Sequence, residues 1–169
     1  EETQFKKSAL VRVPIRLGAD TFINGKISDI NKERMIDAMN AFKLLMKVHK
    51  VEKYRACATS AMREASNGKE IVNEILEKTA VKIDLINGKT EAEIIFSTDL
   101  TDLIDDNQSY LYVDVGGGST ECSVFSNGEI INSKSFKLGT VRLLNKSTDN
   151  KEKWKSMEKW IKKNTEDLK

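Results

Sequence analysis

Three consecutive glycines, Gly116-Gly117-Gly118, divide the chain into two stretches of different pattern. A helix or strand interior tolerates such a run poorly, because glycine loses the most backbone freedom on ordering and offers no side chain to pack. The run therefore reads as a turn, and the periodicity on either side says what it joins. Upstream, residues 54–59, 82–86 and 110–115 read as short buried strands. Helical segments lie between them. One or two turns over 60–66 are broken at Asn67-Gly68. A helix over 69–80 carries Ile71, Val72, Ile75 and Leu76 on one face, and another over about 89–103 turns Ala92, Ile95, Phe96 and Leu100 inward. This alternation favours parallel pairing with right-handed crossovers. Downstream, residues 119–125 and 129–136 alternate around Ser126-Asn127-Gly128, and Asn-Gly between two such runs signals a hairpin.

The flanks read as follows. Ala9, Val11, Val13, Ile15 and Leu17 alternate with Leu10, Arg12, Pro14 and Arg16, as a strand with one apolar face does. Pro14 restricts it to an edge or a strand end. Gly18 and the Asn24-Gly25 pair mark a loop. Ser28 suits the cap of a helix running to about Lys50, striped by Met35, Met39, Phe42, Met46 and His49, with Ala38 and Leu45 beside them. A helix covers 140–145, a polar linker 147–150, and a charged helix 151–168, which carries Trp154, Met157, Trp160 and Ile161. Its lysines read as a solvated face.

Composition excludes several classes. Lys plus Arg number 28 against 26 Asp plus Glu, a net charge of +2, far short of a dedicated nucleic-acid binder. No apolar run approaches the ~20 residues of a membrane span. Two cysteines, Cys57 and Cys122, are too few for a disulfide framework and read as buried thiols. His49 is the only histidine and cannot build a metal site alone. With no signal peptide in view, the expectation is a soluble cytoplasmic protein. Its opening at Glu1, straight into strand-like alternation, reads as a piece of a longer chain.

Three clusters carry chemistry. In residues 114–121, DVGGGSTE, an acid ends a strand, glycines turn the chain, and two hydroxyls and a second acid begin the next strand. Backbone without side chains can approach an anion closely and point N–H groups at it, with Ser119 and Thr120 as further donors. Asp114 would repel phosphate alone but suits a divalent ion between the two. The segment is neither a P-loop nor a dinucleotide fingerprint. In residues 58–65, Thr59 and Ser60 are either ordinary helix caps or, with Arg63, an anion site. In residues 87–92, Glu91 lies in a first helical turn, where capping alone would account for it. Each cluster follows the carboxyl end of an expected parallel strand, so the three can meet in one cleft. Glu91 and Glu121 would then face a phosphate, one handling water and the other a metal.

These motifs, in this order, resemble the Ppx/GppA family of exopolyphosphatases and guanosine pentaphosphate phosphohydrolases. The matching stretches are 55–67 (RACATSAMREASN), 86–92 (INGKTEA), 114–121 (DVGGGSTE) and 137–143 (KLGTVRL). The resemblance implies an α/β, actin-like (ribonuclease H-like) two-lobed fold, present here as an incomplete fragment. Residues 1–108 would form most of the first lobe and 109–169 the opening meander and helices of the second. It implies release of terminal phosphate from inorganic polyphosphate or guanosine pentaphosphate with Mg²⁺. Glu91 resembles the catalytic base, Asp114 and Glu121 the acids at metal and attacking water, and Gly116, Gly117, Gly118 and Ser119 the phosphate turn. Arg63 resembles the arginine of the TSA-x-RE-A motif. Thr59, Ser60 and Thr120 join the phosphate-binding set from the reading of the residues. Arg142 joins it too, with a surface or inter-lobe salt bridge as its other reading. The family's opening strand-turn-strand with its DIGSN-type motif has no counterpart in the sequence, and Thr90 stands where an acid commonly precedes the catalytic glutamate. No nucleic-acid or membrane partner is expected, and a homodimer of the full-length protein is left open. Rival readings are a non-hydrolysing regulatory protein on the same fold and an actin-like kinase.

Overall fold

The computed structural model describes residues 9–95, 108–144 and 150–166. Two helices come first, α1 (Leu17–Asn24) and α2 (Asp29–Val48). There follow β1 (Ala56–Ala58), α3 (Ser60–Glu64), α4 (Gly68–Thr79), β2 (Ile83–Leu85) and α5 (Gly88–Ile95). The second half holds β3 (Ser109–Val115), β4 (Thr120–Ser126), β5 (Glu129–Phe136), α6 (Thr140–Leu144) and α7 (Lys151–Thr165). Phe96, Leu100 and the rest of that expected helix, like most of the 147–150 linker, lie outside the described residues. No helix among the described residues is long and apolar enough to cross a membrane.

The first half is built around the parallel pair β1–β2, with Ala56 opposite Ile83 and Ala58 opposite Leu85. Its core joins Ile27 and α2 residues Met35 and Ile36 to Met62, Ile71, Ile75, Val81 and Ile83. Ser28 caps α2 as its residue type predicts, its side chain accepting from the Asn31 N–H. Asp20 closes the corner before it. One of its carboxylate oxygens accepts from the Ser28 hydroxyl (2.6 Å), the Ser28 N–H (2.9 Å) and the Asn31 amide (2.8 Å). The Ser28 hydroxyl first, then its N–H, hold the Asp20 carboxyl below its usual range. His49 is exposed as the C-cap of α2.

Asn67 does more than break a helix. It precedes α4, and its side chain donates to the Ile27 carbonyl (2.8 Å) and accepts the Ile27 N–H (3.0 Å), 40 residues away. Beside it the Ser66 N–H donates to the Gly25 carbonyl at 2.9 Å. An irregular segment between α1 and α2 thereby satisfies its backbone as a strand would.

Four expectations fail. Residues 9–16 form no strand. Alternation specifies a face, but a strand also needs a ladder partner, and none of the described strands runs beside them; Leu10 is 79% exposed. The expected loop at Gly18 is instead α1, which closes about two turns later at Gly25, φ 75°, with its N–H on the Thr21 carbonyl. Residues 110–115 do not extend the parallel pair. β3 pairs antiparallel with β4, Val115 opposite Thr120 and Asp114 opposite Glu121. The glycine turn brings the two strands side by side at once, whereas a parallel partner needs a long crossover. Cys122 is buried, but Cys57 is exposed, because only β2 flanks the short β1.

The hairpin at Asn127-Gly128 forms as read, giving a sheet ordered β3-β4-β5. Its central strand is buried from Thr120 to Phe125. One face packs on α7 through Cys122, Phe136 and Leu138 against Met157, Trp160 and Ile161. Phe136 and Trp160 meet edge to face, ring centres 5.9 Å apart. The other face carries Asp114, Glu121 and Ser135 and meets the start of α5.

Asn67→Ala would strand a half-buried donor and acceptor of Ile27 at once. A loss of about 1–3 kcal/mol in urea unfolding is expected, and a change within experimental error would show the clamp to be incidental.

Candidate active site

The site begins where a side chain is missing. Gly88 opens α5 directly on the sheet, and a Cβ there would stand 2.9 Å from Ser135 Cβ and 3.5 Å from Glu121 Cγ. This approach lays the first turn of α5 against the charged end of β4. Asn87 steadies that turn, accepting the Thr90 N–H on its side chain at 2.9 Å. Glu91 follows within the same turn. Its carboxyl faces Glu121, Arg63, Asp114 and Thr59. Burial first, then the Glu121 charge and further the Asp114 charge, push it above the usual carboxylate range; Arg63 and the Thr59 hydroxyl pull the other way and do not prevail.

Glu121 and Asp114 are direct cross-strand partners, a like-charged pair that costs a sheet stability. Glu121 is only 4% exposed and accepts the Ser135 hydroxyl at 2.7 Å. Ser135 reaches it through an irregularity in β5. Next to the turn, Phe125 pairs Ile130, but Val124 pairs Asn132, so Ile131 is an extra residue. Without it the register would place Lys134 opposite Glu121. The Asn127-Gly128 turn marks the hairpin in the sequence, but nothing there marks the bulge, so Ser135 was not among the expected residues.

From the other side, β1 delivers Thr59 and α3 delivers Arg63. Thr59 stands at the N-cap of α3 without capping it, and its hydroxyl serves Glu91 instead. Ser60 begins α3. Arg63 donates from Nη1 to the Ile86 carbonyl, at the end of β2 just before α5. Its guanidinium is thus fixed beside Glu91 by the segment that also carries Glu91.

The glycine turn closes the cleft. Its carbonyls are all taken from behind by α6. The Gly116 carbonyl accepts the Thr140 N–H (2.9 Å), and that of Gly117 accepts Val141 (2.9 Å) and Arg142 (3.2 Å). The Gly118 carbonyl accepts Arg142 Nε at 2.7 Å. With the carbonyls turned to α6, and no hydrogen bond among the described residues using the N–H of Gly117, Gly118 or Ser119, three backbone donors remain for an anion. None of the three glycines has a positive φ. Close packing requires them instead: a Cβ on Gly118 would overlap the Phe22 ring, and one on Gly117 would press on Val141.

Two residues expected at the phosphate are committed elsewhere. The Thr120 hydroxyl is buried and donates to the Leu138 carbonyl at 2.5 Å, because its side chain points to the α7 face. Arg142 takes the other role weighed for it. Besides Gly118, it donates from Nη2 to both oxygens of Glu64, at 3.0 and 2.9 Å. The Cys122 thiol, next to Glu121 in sequence, points to the opposite face, and burial followed by the Glu121 charge raises its pKa.

Among the described residues no three metal-ligating side chains are clustered, so no protein-only cation cage is built. Magnesium does not need one. It is held by one or two carboxylates with phosphate oxygens and water completing its shell, and the Asp114–Glu121 pair, which no lysine or arginine among the described residues bridges, fits that donor set. Beside the site a cavity of about 1000 Å³ touches Thr59, Ser60, Gly117 and Gly118 and is otherwise walled largely by Ile15, Leu17, Phe22 and Val141.

The model of the Ppx/GppA phosphatase family matches residues 8–169, and the chain belongs to that family. A bifunctional 3-dehydroquinate synthase/phosphatase of Fusobacterium nucleatum is 29% identical over 182 residues, covering 99% of this chain and 27% of its own. Exopolyphosphatase 2 of Mycobacterium tuberculosis is 30% identical over 76% of this chain and 42% of its own. The crystal structure of an exopolyphosphatase-like protein superposes with a TM-score of 0.76 at 26% identity, over 95% of this chain and 53% of that one. The chain therefore spans less than half of these curated relatives and about half of the solved structure. The α/β fold is that of the Ppx/GppA phosphatases.

Two expectations come from this geometry. Gly118→Ala forces Phe22 or the turn aside and should cost about 1–3 kcal/mol by denaturant unfolding; no loss would mean that the ring moves freely. Glu91 is held more readily protonated when folded than when unfolded. Its stabilising contribution as a neutral acid is full below about 4.5 and is lost as pH rises through the raised folded value. Glu91→Gln should therefore melt higher than wild type near pH 7, the gain vanishing below pH ~4.5. A lower melting point at pH 7 would make Glu91 a stabilising ion-pair partner.

Proposed function

We propose that this member of the Ppx/GppA phosphatase family forms the Glu91 side of a phosphoanhydride hydrolase that releases terminal phosphate from inorganic polyphosphate. The observation that carries the reading is the meeting of three sequence-distant clusters on one half-buried carboxyl. Glu91 has Thr59 and Arg63 on one side and Asp114 and Glu121 on the other. A half-buried carboxylate whose pKa is raised by burial and by neighbouring acids is a better proton acceptor than an exposed one.

In the proposed reaction Glu91 takes a proton from water as the water oxygen bonds to the terminal phosphorus. The bond from that phosphorus to the bridging oxygen breaks, and the shortened chain leaves with the electron pair. The N–H groups of Gly117, Gly118 and Ser119 hold the oxygens on which charge spreads. Asp114 and Glu121 would hold Mg²⁺, which when bound supplies positive charge to the phosphate oxygens. Arg63, fixed on the Ile86 carbonyl, adds a cation that needs no reorganisation.

A second substrate has its own support. The cavity beside the glycine turn is large and mainly apolar, which suits a planar base better than an inorganic chain and favours guanosine pentaphosphate.

Phosphate release by the full-length protein from long-chain polyphosphate and from guanosine pentaphosphate, with and without a chelator, decides between them. Glu91→Gln should lower kcat by about 10²–10⁴-fold with unchanged circular dichroism, and chelation should abolish release from wild type. Turnover that survives in Glu91→Gln removes the assigned base, and release from the nucleotide alone selects the second substrate.

A further inference from the structure

We propose that Glu64 and Arg142 are a positioning pair that holds the phosphate turn in register with the wall carrying Glu91. Arg142 spends its planar fork on both sides of the cleft. Nε holds the Gly118 carbonyl at 2.7 Å, while Nη2 holds both carboxylate oxygens of Glu64, 78 residues away. The same guanidinium lies 4.4 Å from the centre of the Phe22 ring. The side chains of Arg142 and Glu64 are 18% and 23% exposed, so water screens the pair little. A lysine could match the charge but not the stacked, forked geometry.

Glu64 directly follows Arg63 in α3. Arg63 grips the Ile86 carbonyl at the threshold of α5, and Glu64 grips the arginine that grips Gly118. Two successive side chains of one short helix therefore reach both walls of the cleft. α6 has no buried residue of its own, and it meets the turn through the amides of residues 140–142, the Thr140 hydroxyl, Val141 and the Arg142 side chain. Among the described residues Glu64 is thus the acidic anchor from the first half for the piece that backs the phosphate donors. Lys137 also approaches Glu64, at 3.6 Å, but is 68% exposed and adds little. Glu64 stands in the ATSAMREA stretch, yet neither its residue type nor its spacing names Arg142 as its partner.

The kinetic arm of the test rests on the hydrolase reading; the exchange arm does not. In full-length protein, Glu64→Gln and Arg142→Lys should each lower kcat for polyphosphate about tenfold. KM and the melting temperature should stay near wild type, and the double variant should lose little more than either single, as expected of one coupled pair. Single losses that multiply, or losses that track melting temperature, overturn the proposal and leave a plain stabilising ion pair. Hydrogen exchange is measured on the same variants. The amides of residues 140–142, which hold the Gly116 and Gly117 carbonyls, should exchange about tenfold faster in Glu64→Gln, while residues 121–125 in β4 keep their protection. Unchanged exchange at 140–142 overturns the pair whatever the kinetics. A wild type that releases no phosphate but shows this exchange pattern sinks the hydrolase reading alone.

Discussion

The close approach of chain segments at Gly88, Gly118 and Gly139, where a side chain would have no room, is the constraint on which the rest of the structure depends. Gly88 lets α5 sit on the sheet, Gly118 lets the Phe22 ring lie against the turn, and a Cβ on Gly139 would stand 2.5 Å from the Gly117 carbonyl. At each place two segments from distant parts of the chain share a space that any larger residue would occupy. The parallel pair β1–β2 and the antiparallel β3-β4-β5 sheet have separate cores, and the contacts at Gly88 and Gly118 join the two halves. Protein interiors yield little to such overlaps, and the joint is correspondingly definite.

What that joint encloses is electrostatically unfavourable by the standards of a stable fold. Asp114 and Glu121 face each other across a ladder, and Glu91 is pressed toward both. Elsewhere the chain pairs its charges readily: Lys32 and Lys78 both bind Glu74, and Lys162 binds Glu158. The one arginine close to the carboxylates is bonded to a backbone carbonyl. A site that sets like-charged carboxylates within electrostatic reach of one another at the expense of stability is where local rules are expected to yield to function.

The elements most legible in the sequence were those specified by neighbouring residues. The Ser28 cap, the amphipathic face of α4 and the Asn127-Gly128 hairpin all follow from interactions a few residues apart and formed as read, save that Leu76, expected on that face, is exposed. The failures in pairing share one cause, that a local pattern does not name the segment that will lie beside it. Residues 9–16 have strand alternation but no ladder, β3 has parallel context but a nearer antiparallel partner, and Cys57 looks buried in sequence because β1 looks central. The same division runs through the site. The acid–glycine–hydroxyl–acid run exposed Asp114, Glu121 and the turn, because a short segment carries that chemistry. Thr120 and Arg142 belonged to the same motifs and were turned away, one by the pleat of β4 and one by Glu64.

By itself, then, the sequence determined which residues could do chemistry and that each stands at the end of a strand. Composition, turn residues and short-range periodicity are properties of the local chain, and they are sufficient for that. Only the tertiary structure decided which of these residues meet. A single extra residue at Ile131 sets Ser135 rather than Lys134 opposite Glu121, leaving that carboxylate hydrogen-bonded where the unbulged register would have paired it with a cation. Side chains in a strand alternate with a period of two, so one inserted residue exchanges the faces of all that follow, and no local signal records it.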